Sequence, residues 1–409
     1  MALPALRALD AFPIEHEGQK YVCLNDPSGT VEDQLVLTPP AVFVAANLTG
    51  FNDRAAIQKA FAEQYDGAPI TIEQIDEVVD LLDKHGFLHT PTFEAMVTQV
   101  HETFHGSDTR PAYLAGKSYP GEREELRAFL DEQFTRDGGP GAAPAPESAN
   151  YHHLRGLIVP HIDLHRGGHS YAHGYRRMAD EGRPDTVFVF GVAHAAEPSP
   201  FILTRKHFDT PLGRIDTDVE MVDTLAAACS WDPFQHEMVH RTEHSIEFQA
   251  VMLAHLYGTQ VKIVPILCSM FSEDPGHADP DALEPVTTFL NACRSCVDSP
   301  NKRVTVIAAA DLAHVGKRFG DPFDIDDEVI SGVAARDEED LAFVHTLNPA
   351  KFYGSVMKDQ NQRNVCGLNC IYAAMKSLEG TVQKGEPLHY DYAHDPAGGI
   401  VSFASVAFS

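Results

Sequence analysis

The chain has 409 residues, long enough for two domains, and its 44% hydrophobic and 22% charged content is that of an ordinary globular protein. Its formal net charge of -28 argues against binding nucleic acid or an anionic membrane surface, since both are polyanions. Seven scattered cysteines speak against a disulfide framework; with no secretory signal and no apolar run near the roughly 18 residues a bilayer needs, the expectation is a cytoplasmic protein.

In chain order, Lys20–Leu24 reads as a strand and Pro39–Leu48 as a helix. Two further helices follow, Ala55–Tyr65 and Ile72–His85, the latter carrying Ile72, Ile75, Val78, Val79, Leu81 and Leu82 at helical spacing. Thr71 is its expected N-cap and Gly86 its C′ residue. Small helices closing on Gly86-Phe87-Leu88 resemble a winged-helix module, in particular the PqqD-like peptide-recognition domains. Its best helix carries Glu73, Asp76, Glu77 and Asp80, which phosphate would repel. Docking of a peptide or protein is expected ahead of DNA, and a structural role is equally open.

A new segment begins at Arg110, followed by an amphipathic helix over Glu122–Phe134 and a Gly/Pro-rich stretch over 137–146 that cannot pack a core. From residue 150 on, strands and helices alternate as in an α/β fold with a mostly parallel sheet. The pair Cys293 and Cys296 has CxxC spacing but lies in a helical stretch without partners at zinc-finger spacing.

Five blocks carry ionisable groups at element ends. The strand Gly156–Val159 runs into Pro160-His161-Ile162-Asp163 and then His165, and the strand Val187–Phe190 runs into Gly191-Val192-Ala193-His194. Strand carboxyl ends are where open α/β sheets place ligand sites, so His161 and His194 are candidate metal ligands from two points of one crevice. Asp163 and His165 are candidate pocket residues. Glu243-His244-Ser245-Ile246-Glu247 opens an apolar helix with His244 and Glu247 three residues apart, on one side, in or near the pocket. Val304–Ile307 leads to Asp311-Leu312-Ala313-His314, where Asp311 suits a metal or a histidine and His314 a general acid or base. Cys366 precedes a helix over Asn369–Lys376, a position that favours a thiolate.

In this order, with Arg110–Pro120, Phe208–Asp216, Leu388-His389-Tyr390 and Val401–Ala404, the blocks resemble the Memo family, whose bacterial branch is usually called AmmeMemoRadiSam system protein B. The resemblance covers about 110 to 409. It implies a domain over 106–409 with 137–146 as an insertion, after a winged-helix-like module over 1–105. It also implies a fold similar to class III extradiol dioxygenases, with His161, His194 and Cys366 as ligands to iron (Fe2+) or copper. Asp311 and His314 stand beside them, His314 at the acid/base position. A cysteine where the oxygenase triad has a carboxylate speaks against ring cleavage, and His165 adds a candidate ligand. Two functions stay open: a metal-dependent oxidoreductase, or a non-catalytic iron- or copper-binding scaffold. The implied partners are a radical SAM protein and an AMMECR-type protein, with a peptide or protein as candidate substrate.

Overall fold

The computed structural model describes residues 1–144, 154–272 and 279–409. They fall into two compact units, Met1–Ser107 and Asp108–Ser409.

The first unit is a three-stranded antiparallel sheet, Asp10–His16, Gln19–Asn25 and Leu35–Leu37, with helices Pro39–Ala46, Arg54–Gln64, Ile72–Lys84 and Pro91–Gly106. Ile72–Lys84 begins in a capping box, in which Thr71 accepts from the Gln74 N–H and the Gln74 side chain accepts from the Thr71 N–H. It stops at Gly86, whose φ of +69° suits glycine and whose missing Cβ leaves room for the Met96 sulfur. Ile75, Val79 and Leu82 face the core, whereas Ile72 and Leu81 stay exposed.

Arg7 Nη2 donates to Asp26 Oδ1 at 2.9 Å beneath this core, and Asp26 also accepts from the Val31 and Ser28 N–H groups. Burial alone would raise the Asp26 carboxyl, but these bonds outweigh it and hold it below the ordinary carboxylate range. A depressed folded value stabilises the fold above the unfolded pKa of about 3.9 and is lost as pH falls through the folded one. Asp26→Asn should therefore flatten the acid limb of the thermal-stability profile below about pH 4. An unchanged acid limb would remove Asp26 from that account.

In the second unit the central sheet runs in the order Asp311–Val315, Gly399–Phe408, Gly156–Val159, Val304–Ala309, Thr186–Val192, Lys262–Cys268, Phe201–Leu203. The four strands from Gly156–Val159 to Lys262–Cys268 are mutually parallel. Gly399–Phe408 is antiparallel to Gly156–Val159, to Asp311–Val315 and to its hairpin mate Gly385–Asp395, and Phe201–Leu203 is antiparallel at the other edge. The sheet is thus mixed, with a parallel centre and antiparallel flanks.

Both faces are covered, so the strands are continuously buried. Leu157, Val159, Val187, Val189, Ile307 and Ala309 pack with residues of helices Arg123–Thr135, Leu164–Asp180 and His244–Tyr257. Ile158, Phe188, Phe190, Val306 and Ala308 point the other way, toward helices Glu284–Val297, Pro349–Met357 and Leu368–Ser377. Because these four strands are parallel, their carboxyl ends line up along one rim.

Residues 137–144 fold over Leu164–Asp180, with Arg176 donating to the Ala142 carbonyl; residues 145 and 146 of the expected insertion lie outside the described residues. Cys293 and Cys296 sit within the Glu284–Val297 helix, and all seven cysteines are free. Among the described residues no helix is long and apolar enough to cross a membrane.

Candidate metal centre

Pro160 ends the Gly156–Val159 strand and places His161 on the rim, where it is buried. The His161 N–H donates to Asp311 Oδ1 at 2.9 Å, and its Nδ1 lies 2.8 Å from the Ala309 carbonyl. A carbonyl only accepts, so Nδ1 carries the proton and Nε2 keeps its lone pair. That Nε2 stands 3.2 Å from Cys366 Sγ and 3.5 Å from Asp311 Oδ2. Burial pushes the His161 imidazole down, against the pull of Asp311, which keeps it a neutral donor.

His194 follows the parallel strand Thr186–Val192. Its N–H donates to Glu243 Oε2 at 3.0 Å and its Nδ1 lies 3.1 Å from each Glu243 oxygen, again leaving Nε2 free. Burial lowers its pKa, but the Glu243 carboxylate outweighs that and the net direction is up. Glu243 caps helix His244–Tyr257 by accepting from the Ser245 N–H. Burial would raise its carboxyl, but the bond from His194 and the nearby His244 hold it well below the usual range. His244 stacks on His194 with centroids 4.6 Å apart and meets His161 edge-on at 5.3 Å. Burial pushes His244 down to about 4 despite Glu243.

Cys366 comes from the turn before helix Leu368–Ser377. Gly367 makes the approach possible, because a Cβ there would come within 2.5 Å of Ala310 Cβ and of the Asp311 carbonyl. Burial, then the Asp311 charge, pushes the Cys366 thiol well above its ordinary value, against the preference of a helix start for a thiolate, and a cation beside it would favour the anion. One donor atom each from His161, His194 and Cys366 lie within 4.8 Å of one another, and so do those of Asp311, His314 and Cys366.

Asp311 and His314 reach the same space through a register shift in their pairing with Gly399–Phe408. Residues three apart on a regular strand face opposite ways, and the irregularity re-aims one of them. His314 is fixed by its N–H to the Arg363 carbonyl at 2.7 Å and by Nδ1 3.2 Å from the Leu312 carbonyl. Burial lowers its pKa, which favours a neutral imidazole that can take a proton. His161, His194, His244, Asp311 and His314 line a cavity of about 450 Å³, walled also by Phe248, Phe319, Arg166 and Arg318. A larger hollow of about 800 Å³, between helix Asp327–His345 and strand Gly385–Asp395, holds none of the strand-tip groups, so chemistry and not size selects the site.

His161, His194, His244, Asp311, His314 and Cys366 therefore come together, with Asp163 at the wall, where it caps helix Leu164–Asp180 and pairs with Arg166. Two expected pocket residues do not. His165 is exposed and packs on Phe129 at 4.7 Å, on the outward side of the helix whose first residue, Leu164, is buried. Glu247 is fully buried elsewhere; it pairs with Arg110 and accepts from the Leu114 N–H and the Tyr119 hydroxyl. Glu243 was the residue missed, although an acid immediately before a helix start and beside a histidine is a readable signal.

Residues 110–407 match the family described as Memo-like protein. A MEMO1 family protein of Aquifex aeolicus is 27% identical over 97% of this chain and 98% of its own length. Another, of Desulfurococcus amylolyticus, is 26% identical over 73% of this chain and 98% of its length, and one of Methanococcoides burtonii is 32% identical over 50% of this chain and 68% of its length.

Proposed function

The chain belongs to the Memo-like protein family, and from that premise we propose that it is a metal-dependent oxidoreductase whose iron or copper ion is held by His161, His194 and Cys366. The observation that carries the reading is the donor geometry: two imidazoles with Nδ1 already engaged and a half-buried thiol, their donor atoms within 4.8 Å of one another. Carbonyl and carboxylate partners on the far ring nitrogens are what fix histidines as metal ligands. Thiolate and imidazole together suit iron or copper, and the bound ion would supply redox and Lewis-acid chemistry.

Within this reading the chain's own groups divide the work. Glu243 orients His194 and neutralises charge beside it. Asp311 fixes the His161 backbone and flanks its Nε2. His314 is the proton-handling group, and Phe248 and Phe319 restrict water in the cavity. The first unit is a winged-helix-like module that presents a peptide or protein substrate, with a radical SAM protein and an AMMECR-type protein as partners.

One observation favours a second reading, a non-catalytic metal holder: the donors of Asp311, His314 and Cys366 also cluster within 4.8 Å, so His314 can serve as a ligand. The two readings part on His314→Ala. An oxidoreductase should keep its metal and lose oxygen-consuming turnover by about 10²–10⁴-fold. Loss of the metal in His314→Ala would make it a ligand and leave no acid/base group.

A further inference from the structure

Helix Leu164–Asp180 crosses the hairpin strand Gly385–Asp395, and a second set of imidazoles meets there, sharing no residue with the strand-tip centre. His169 and His173, one turn apart on the helix, face His389 and Asp391, two residues apart on the strand. His169 Nε2 lies 2.8 Å from Asp391 Oδ2. The His169 and His389 rings meet edge-on at 5.1 Å, and His173 stacks on His389 at 4.6 Å. Gly138 roofs the group: His173 Nε2 lies 2.9 Å from its carbonyl, and a Cβ on it would touch the His169 ring at 3.4 Å.

Two features mark this as more than packing. Donor atoms of His169, His389 and Asp391 lie within 4.8 Å of one another. In addition, Nδ1 of His169 and Nδ1 of His389 are buried without a hydrogen-bond partner among the described residues. Buried polar nitrogens are normally satisfied; these two exceptions lie on neighbouring rings, one of which meets a carboxylate through its other nitrogen, and a cation that takes lone pairs would answer to such a group. We propose that His169, His389 and Asp391 form a second metal site, selective for a borderline divalent cation such as Zn2+, with His173 buttressing His389. Two imidazoles and one carboxylate match the donor types of open zinc sites, and Zn–N bonds of about 2.0–2.1 Å require only a small closure of the group. Asp391 is half-exposed, which gives the ion a way in.

The test titrates the metal-free full chain with Zn2+ by calorimetry and with Co2+ by absorption. Wild type should take up about two equivalents, in line with two separate donor sets. His389→Ala and Asp391→Asn should each lose one while keeping the thiolate-to-cobalt band contributed by Cys366. Cys366→Ser should lose that band and keep the other equivalent. Asp391→Asn guards against a folding defect in His389→Ala, and melting curves report folding for both. Persistence of both equivalents in both variants overturns the proposal, and so does a wild type whose metal is lost entirely in Cys366→Ser. A single equivalent lost in Asp391→Asn and retained in Cys366→Ser would uphold this site and sink the strand-tip one.

Discussion

Cys366→Ser and His161→Ala should each abolish stoichiometric iron or copper binding while leaving the far-UV spectrum native. The reason is the small number of donors. In the proposed centre three protein groups would hold the ion, and removing one would take away a bond and leave only two donors. Groups that only orient a ligand have smaller effects: Glu243→Gln should weaken binding by about 10- to 100-fold, since His194 keeps its Nε2 but loses the charge behind it. The fold should survive His161→Ala, because a lost hydrogen bond such as that to the Ala309 carbonyl costs about 0.5–1.5 kcal/mol, against domain stabilities of about 5–15 kcal/mol. Metal analysis of the purified variants checks the ordering. Binding that persists in both Cys366→Ser and His161→Ala places the ion elsewhere.

Arg110→Ala and Glu247→Ala should each cost about 3–5 kcal/mol of stability, the cost expected for breaking a buried ion pair. Both side chains are fully buried and paired with each other. Arg110 also donates to the His240 and Glu243 carbonyls, and Glu247 accepts from the Leu114 N–H and the Tyr119 hydroxyl. Truncating either partner leaves an uncompensated charge and several orphaned polar groups in the interior. The Arg110 bond to the Glu243 carbonyl joins this network to the residue that orients His194, so a milder loss of metal affinity should accompany the destabilisation. Urea denaturation of the two variants measures it. A shift worth less than about 1 kcal/mol would mean that the network is solvated or dispensable.

The strand-tip histidines were legible because short apolar runs end abruptly in Pro160-His161 and Ala193-His194, and such runs have few other readings. The helix Ile72–Lys84 was equally legible, since Thr71 and Gly86 mark its ends with separate local chemistry. The antiparallel flanks were not. A strand buried on both faces, such as Gly399–Phe408, carries no polar alternation to reveal its direction. Glu247 was misread for a related reason. Helical spacing relates it to His244, but His244 is the first helical residue and its ring is drawn toward Glu243 and His194. The irregularity between Asp311 and His314 leaves no mark in composition, so their convergence became visible only in three dimensions. The cluster of His169, His389 and Asp391 joins residues over 200 positions apart, a distance that no local pattern spans.

The most direct test of the strand-tip metal centre is X-ray absorption at the metal edge of protein purified without added metal. The account predicts iron or copper with one sulfur neighbour at about 2.3 Å and two imidazole nitrogens at about 2.0–2.1 Å, taking zinc bond lengths as the guide. The sulfur shell should be absent in Cys366→Ser. A first shell of nitrogen and oxygen alone in the wild-type protein would contradict the assignment of Cys366, and with it the proposed centre.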